Sequence, residues 1–317
     1  MGYSQWSDAA YQARQSYRRQ TNQSAFTYDQ QVRASGRAEV HGQMNPYGTV
    51  RESRDSQQHP ESLSIAVLFD VTGSMGTVPR VLQTKLGSLM RVLIEHGYVA
   101  HPQILFGAVG DAHCDVAPLQ IGQFESGLEM DDDLGKIYLE GGGGGQVHES
   151  YELALYYMAR HTAIDCFSLR HRKGYLFTIG DEKPYPVLRR NHILQHIGDS
   201  LERDVPLAPI LAAVQQRYNY FHIIPTNTAH GRSPDVQARW QALLGERVLL
   251  LDDEAAVCET IALAIGLNEG AVQSLARGVD DLRHAGYADG GAAAAATAID
   301  EARTRRARGN AGLLPAP

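Results

Sequence analysis

The sequence is poor in cysteine. Only Cys114, Cys166 and Cys258 occur, an odd number at wide spacing, which excludes a disulfide framework and gives no CxxC couple for zinc. A chain of this kind is expected in a reducing compartment. Long hydrophobic runs are missing too: no apolar stretch approaches the roughly 20 residues of a membrane span, so no membrane association is expected. The opening residues, "MGYSQWSDAAYQ", lack a charged-then-apolar leader pattern, and Trp6 stands where a myristoylation site needs Ser or Thr. Together these absences point to a cytoplasmic protein.

Positive charge is scarce as well. Lys and Arg number 29 against 36 Asp and Glu, a formal charge of −7. Residues 1–60 hold seven Arg against five acids and residues 270–317 six Arg against five, which leaves about −10 for the middle. So acidic a middle is a poor polyanion binder, and no aromatic-plus-basic motif accompanies the arginines, so nucleic acid is not an expected partner. The glycine run at 141–145 lacks the G-K-[ST] ending of a phosphate-binding loop, which disfavours nucleotide hydrolysis. In "AHCD" (112–115), neighbours on an extended segment face opposite ways, so a zinc cluster is not expected.

What is present is hydrophobic content of 43%, enough for a real core, arranged as alternating strand and helix signals. "LSIAVLFD" (63–70) is a nearly continuous apolar run, the mark of a strand buried on both faces. Val78, Val81, Leu82, Leu86, Leu89, Met90 and Leu93 then recur at three- and four-residue steps, which predicts an amphipathic helix ending near Gly97. "QILFGAVGD", "APLQIGQF", "GYLFTIGD", "NYFHIIPT" and "RVLLLDD" read as further strands, the second of them a short edge strand, with helical stretches between. Repeated strand–helix–strand units predict an α/β fold: a doubly wound, mostly parallel central sheet with helices on both faces. It occupies residues 61–268. Residues 1–60 show no sustained period and read as a polar, largely disordered tail or adaptor. Residues 269–317 are Ala- and Arg-rich and read as a C-terminal tail with one solvated helix.

In such sheets ligands bind beyond the carboxyl ends of the strands. Asp70 ends the first strand, Asp111 follows the second and Asp181 a later one, while Thr72 and Ser74 occupy the turn after Asp70. Two carboxylates and two hydroxyls in one crevice suit a hard cation, Mg2+ above all.

"DVTGSMG" resembles the Asp-x-Ser/Thr-x-Ser signature of von Willebrand factor A (vWA) domains, the metal-ion-dependent adhesion site. "FGAVGDAHCD", "GGGGGQVHES", "LFTIGDEKPY", "IIPTNTAH" and "ERVLLLDD" follow in the order of the intracellular bacterial members, over about 200 residues. The resemblance implies that Thr72 and Ser74 supply hydroxyl ligands, that Asp70 and Asp181 hold the ion partly through water, and that the second loop adds Thr or Asp. Gln146 occupies that last place, and a neutral donor there weakens the expected hold on the ion. Asp111 either supports the ligands from behind or is a structural cap. Mg2+ is the expected ion, with Mn2+ or Ca2+ as substitutes.

In family members with a complete site, a partner's carboxylate fills one open coordination position. The expected function is therefore metal-dependent protein binding by an adaptor rather than an enzyme's chemistry. The resemblance further implies work with an AAA+ ATPase of the MoxR class, or in a multi-component bacterial stress or defence system. A metal-independent scaffold with a degenerate site is the second reading, and capping by Asp70, Thr72 and Ser74 alone is the plainest one. A serine hydrolase using Ser74, with Asp181 and His222 or His230, is disfavoured because Thr72 stands where the nucleophile turn needs glycine.

Overall fold

The computed structural model describes residues 2–71, 73–75, 77–141 and 147–311, with residue 74 and residues 306–311 as backbone only. Its centre is a six-stranded sheet of β1 (Leu63–Asp70), β2 (Pro102–Val109), β3 (Leu119–Ile121), β4 (Gly174–Ile179), β5 (Tyr218–Pro225) and β6 (Val248–Leu251). The spatial order is β6-β5-β4-β1-β2-β3. All pairs are parallel except β2 with β3. Every residue of β1, β2 and β4 is buried, as near-continuous apolar runs require when a sheet is covered on both sides.

From β1 the chain moves outward to β2 and β3, returns to β4 on the other flank of β1, and moves outward again to β5 and β6. The direction of winding thus reverses between β1 and β4, the place where such sheets open a crevice. Phe69 pairs with Ile179 across that boundary. Asp70 therefore sits level with Gly180, and Asp181 follows.

Helices flank the sheet: α1 (Asp8–Thr21), α2 (Thr27–Ser35), α3 (Val78–Glu95), α4 (Glu129–Gly135), α5 (Tyr151–Arg160), α6 (Leu207–Arg217), α7 (Pro234–Leu244), α8 (Val257–Asn268), α9 (Leu275–His284) and α10 (Asp289–Ala311). α3 begins with Pro79 in its first turn, where a missing N–H costs nothing, and packs on α8, while α5 packs on α6. Among the described residues no helix is long and apolar enough to cross a membrane.

The two ends of the chain depart from expectation. Residues 1–60, read as largely disordered, carry α1 and α2 and bury Tyr11, Phe26, Val32 and Met44. Tyr11 is 1% exposed, donates its hydroxyl proton to the Gln83 carbonyl, and lies against Gly87, where a Cβ would come within 2.8 Å of its ring. Arg18 reaches the fully buried Asp131 at 2.7 Å, and Arg51–Ser53 pairs as a strand with Thr162–Ile164. Composition misjudged this segment because the apolar surface that offsets its ordering entropy belongs mostly to the rest of the chain. At the other end α10 is not a solvated helix. Ala292, Ala295, Ala298, Ile299 and Ala302 are buried at helical spacing, and their small side chains let α10 pack on α8.

Tyr11→Ala should therefore lower the unfolding free energy by about 3 kcal/mol, the cost of emptying a buried aromatic site. The measurement is the urea midpoint at constant slope. A change within about 0.5 kcal/mol, the usual surface value, would show that α1 is no part of the folded unit.

Candidate functional site

Asp70 and Asp181 are each 0% exposed at the carboxyl ends of adjacent strands. The backbone N–H of His230 donates to Asp181 Oδ2 at 2.8 Å, so the loop after β5 folds over this end of the sheet. Two more loops converge here. The Gly141 N–H, from a residue at φ +67°, bonds the Val71 carbonyl at 3.1 Å, and the Lys183 N–H bonds that of Val147 at 3.2 Å. The glycine-rich second loop is thus anchored beside the turn after Asp70 at one end and beside Asp181 at the other. Thr72 and Gln146 lie outside the described residues, as does the side chain of Ser74. The expectations that fall on them concern positions the structure does not describe.

Two carboxyl groups that the sequence did not single out join the aspartates. His148–Glu149 pairs as a short parallel strand with Lys183–Pro184, which brings Glu149 to Glu182. Both are nearly fully buried, at 2% and 6% exposure. Burial, then Asp70, then Glu182 push the Glu149 carboxyl up to about 11; burial, then Asp70 and Asp181 push Glu182 to about 8. The charges acting most strongly on Glu149 are all acidic: Asp70, Glu182, Asp115 and Asp111. Among the described residues, Glu149 Oε2, Glu182 Oε2 and the buried Tyr151 hydroxyl have no hydrogen-bond partner. Such a group must hold protons or a cation, since charge buried without either costs far too much. Among the described residues, no three His, Cys, Asp or Glu side chains are disposed to hold an ion by themselves.

Asp111 anchors a network beside this centre. It accepts from the His113 backbone N–H at 3.0 Å, from the Tyr185 hydroxyl at 2.9 Å and from Ser150 Oγ at 3.3 Å, and it faces His113 Nδ1 at 2.9 Å. Burial would raise its carboxyl, but the bonds from His113 and Tyr185 win and hold it below the usual range. The bond to the His113 N–H is a cap, yet Asp111 also faces Glu149, so it both shapes the loop and borders the acidic centre. His222, a member of the disfavoured hydrolase set, is fully buried, lies 3.6 Å from Trp240 in a parallel stack, and meets Thr178 Oγ1 through Nδ1 at 2.7 Å.

A row of rings extends away from Asp111. His148 stacks on Tyr185 (5.0 Å), Tyr185 meets His113 at a tilt (4.3 Å), His113 meets His192 (4.6 Å) and His192 meets His196 (6.4 Å). His192 and His196 stand one turn apart on the short helix Arg190–His196. Burial, then the neighbouring His192, lowers the His196 imidazole to about 4.

Compared with known proteins, the chain matches no family profile and no curated sequence. Solved structures resemble it at a distance. The pilus adhesin SpaC of Lactobacillus rhamnosus GG in its open conformation aligns over 70% of this chain at 10% identity, with a TM-score of 0.44. Another form of that adhesin gives 70%, 9% and 0.46. Proximal thread matrix protein 1 of the mussel byssus aligns over 64% at 10% identity, with a TM-score of 0.40. The chain spans about a third of the adhesin's length and under half of the mussel protein's. Likenesses this remote carry nothing about the site.

The row of rings generates a pH dependence. A histidine whose folded-state value lies below its unfolded value of 6.5 stabilises fully above that value and loses the contribution as pH falls toward 4. In chelator, the urea midpoint of the wild type should drop between pH 7 and pH 5 more than that of His196→Gln. Equal drops would show that His196 protonates without cost.

Proposed function

We propose that this chain is a vWA-like adaptor, with the doubly wound arrangement of that family, whose acidic centre binds Mg2+ and through it an acidic group of a partner protein. The observation that carries the reading is the gathering of Asp70 and Asp181 with Glu149 and Glu182 in one buried cluster, where, among the described residues, three polar atoms lack partners. All of these donors are oxygens, the set a hard divalent cation prefers, so the residues present fit the ion. Asp70 and Asp181 would hold it together with the hydroxyls of Thr72 and Ser74. Glu149 and Glu182 would take up the hydrogens of its waters, and the neutral Gln146 would leave the second loop without a charged ligand.

The ion supplies positive charge in an otherwise acidic centre, which is what a carboxylate from a partner needs. Affinity would come mainly from the surrounding rim, which includes the exposed His113 and the half-buried His148 and Tyr185. An AAA+ ATPase of the MoxR class, or another component of a bacterial stress or defence system, is the partner class this reading favours.

Two measurements test it. Mg2+ at about 100 times its dissociation constant should add about 2.7 kcal/mol of stability, seen as a rise in Tm that EDTA reverses. Asp70→Ala combined with Ser74→Ala should abolish both that rise and Mg2+-dependent capture of a purified MoxR-class ATPase, while circular dichroism stays that of a folded chain. Capture that survives EDTA and both substitutions would instead establish a metal-independent scaffold.

A further inference from the structure

We propose that the hydroxyl of Tyr151 is a binding determinant of the cation centre, holding a water of the bound ion between itself and the Asp70 carboxylate. This inference rests on the metal-dependent reading above and assigns the ion a contact outside the aspartate and hydroxyl set.

Tyr151 opens α5 and is 0% exposed. Its ring is held edge-on by Trp240 at 5.2 Å and 82° and by His222 at 5.5 Å and 85°. Trp240 is itself fixed, donating through Nε1 to the Glu182 carbonyl at 2.7 Å. The ring therefore has one direction in which to present its oxygen. That direction is the seam between β1 and β4. A Cβ on Gly180 would fall 1.9 Å from the Tyr151 hydroxyl oxygen and 3.1 Å from Asp70 Cβ, so only glycine lets the hydroxyl enter the gap beside Asp70.

Among the described residues, the hydroxyl that reaches this place has no hydrogen-bond partner. Leaving a buried hydroxyl unpaired is costly, and a phenylalanine would fill the same space among Trp240 and His222 without that cost. The oxygen is thus of no use to the fold as it stands. Around it lie Asp70, Glu149, Glu182 and Asp181, which accept protons but, when ionised, offer none. A phenol is both donor and acceptor. It can accept a hydrogen from an ion-bound water and give its own to a carboxylate, which phenylalanine cannot do.

The test uses the full chain with Tyr151→Phe, titrated with Mg2+ and with Mn2+ by calorimetry, and melted in EDTA. Removing an outer contact of a metal centre lowers affinity about 10-fold, and that loss is expected for both ions. In EDTA the variant should melt at or above the wild-type temperature, because an unpaired buried oxygen has gone. Wild-type affinity in Tyr151→Phe, while Asp70→Ala loses binding, would overturn this inference alone. A variant that melts below wild type in EDTA, or does not fold, would also overturn it, by showing that the hydroxyl serves the fold. If the wild type binds neither ion, the metal-dependent reading fails and this inference with it.

Discussion

The constraint on which the rest depends is the burial of several carboxyl groups at one end of a parallel sheet. Asp70 and Asp181 are fully buried and Glu149 and Glu182 nearly so, and the charges nearest Glu149 have its own sign. Proteins do not tolerate such a cluster unless protons or a cation neutralise it. The fold could relieve it by moving the side chains outward, but the backbone forbids this. Asp70 is the last residue of a central strand hydrogen-bonded on both sides, and Glu149 is tied to the Asp181–Glu182 loop by the strand pair His148–Glu149 with Lys183–Pro184.

The sheet order explains why the cluster lies where it does. Winding outward from β1 in one direction and from β4 in the other opens the β1–β4 seam at its carboxyl end, with the ends of the second loop anchored on either side. Tyr151 fills it from α5 and Gly180 makes room. The loops that border it are pinned to one another by main-chain bonds, from Gly141 to Val71, Ser150 to Gly110 and Lys183 to Val147. A site pinned by backbone is placed more accurately than one hung on free loops. The terminal segments serve the core: α1 inserts Tyr11 against α3, and α10 lays its alanines on α8.

Much of the architecture was legible in the residues. The apolar runs at 63–70, 102–109 and 174–179 are strands because a continuous hydrophobic stretch of that length can only be buried on two faces. The short edge strand and the long amphipathic α3 followed from the same periodicities. The placement of Asp70 and Asp181 at one edge of the sheet was readable too, since residues at the ends of parallel neighbouring strands share one edge. Glu149 and Glu182 were not readable as a pair. Their proximity comes from a two-residue strand pairing between segments over thirty positions apart, and "VHES" and "GDEK" look like ordinary polar turns before a helix and after a strand. The docking of α1 was hidden for a related reason, because the segment's own composition says nothing about the groove its tyrosine enters.

The sequence by itself determined the alternation of strands and helices, the parallel direction of the sheet and the strand-end position of each aspartate, because these follow from local periodicity and chain connectivity. Only the tertiary structure decided which acids share a buried volume, which hydroxyl is driven into it and which terminal helices close over the core. Those outcomes depend on pairing and packing between distant segments, and the energies of such contacts belong to no single stretch of chain.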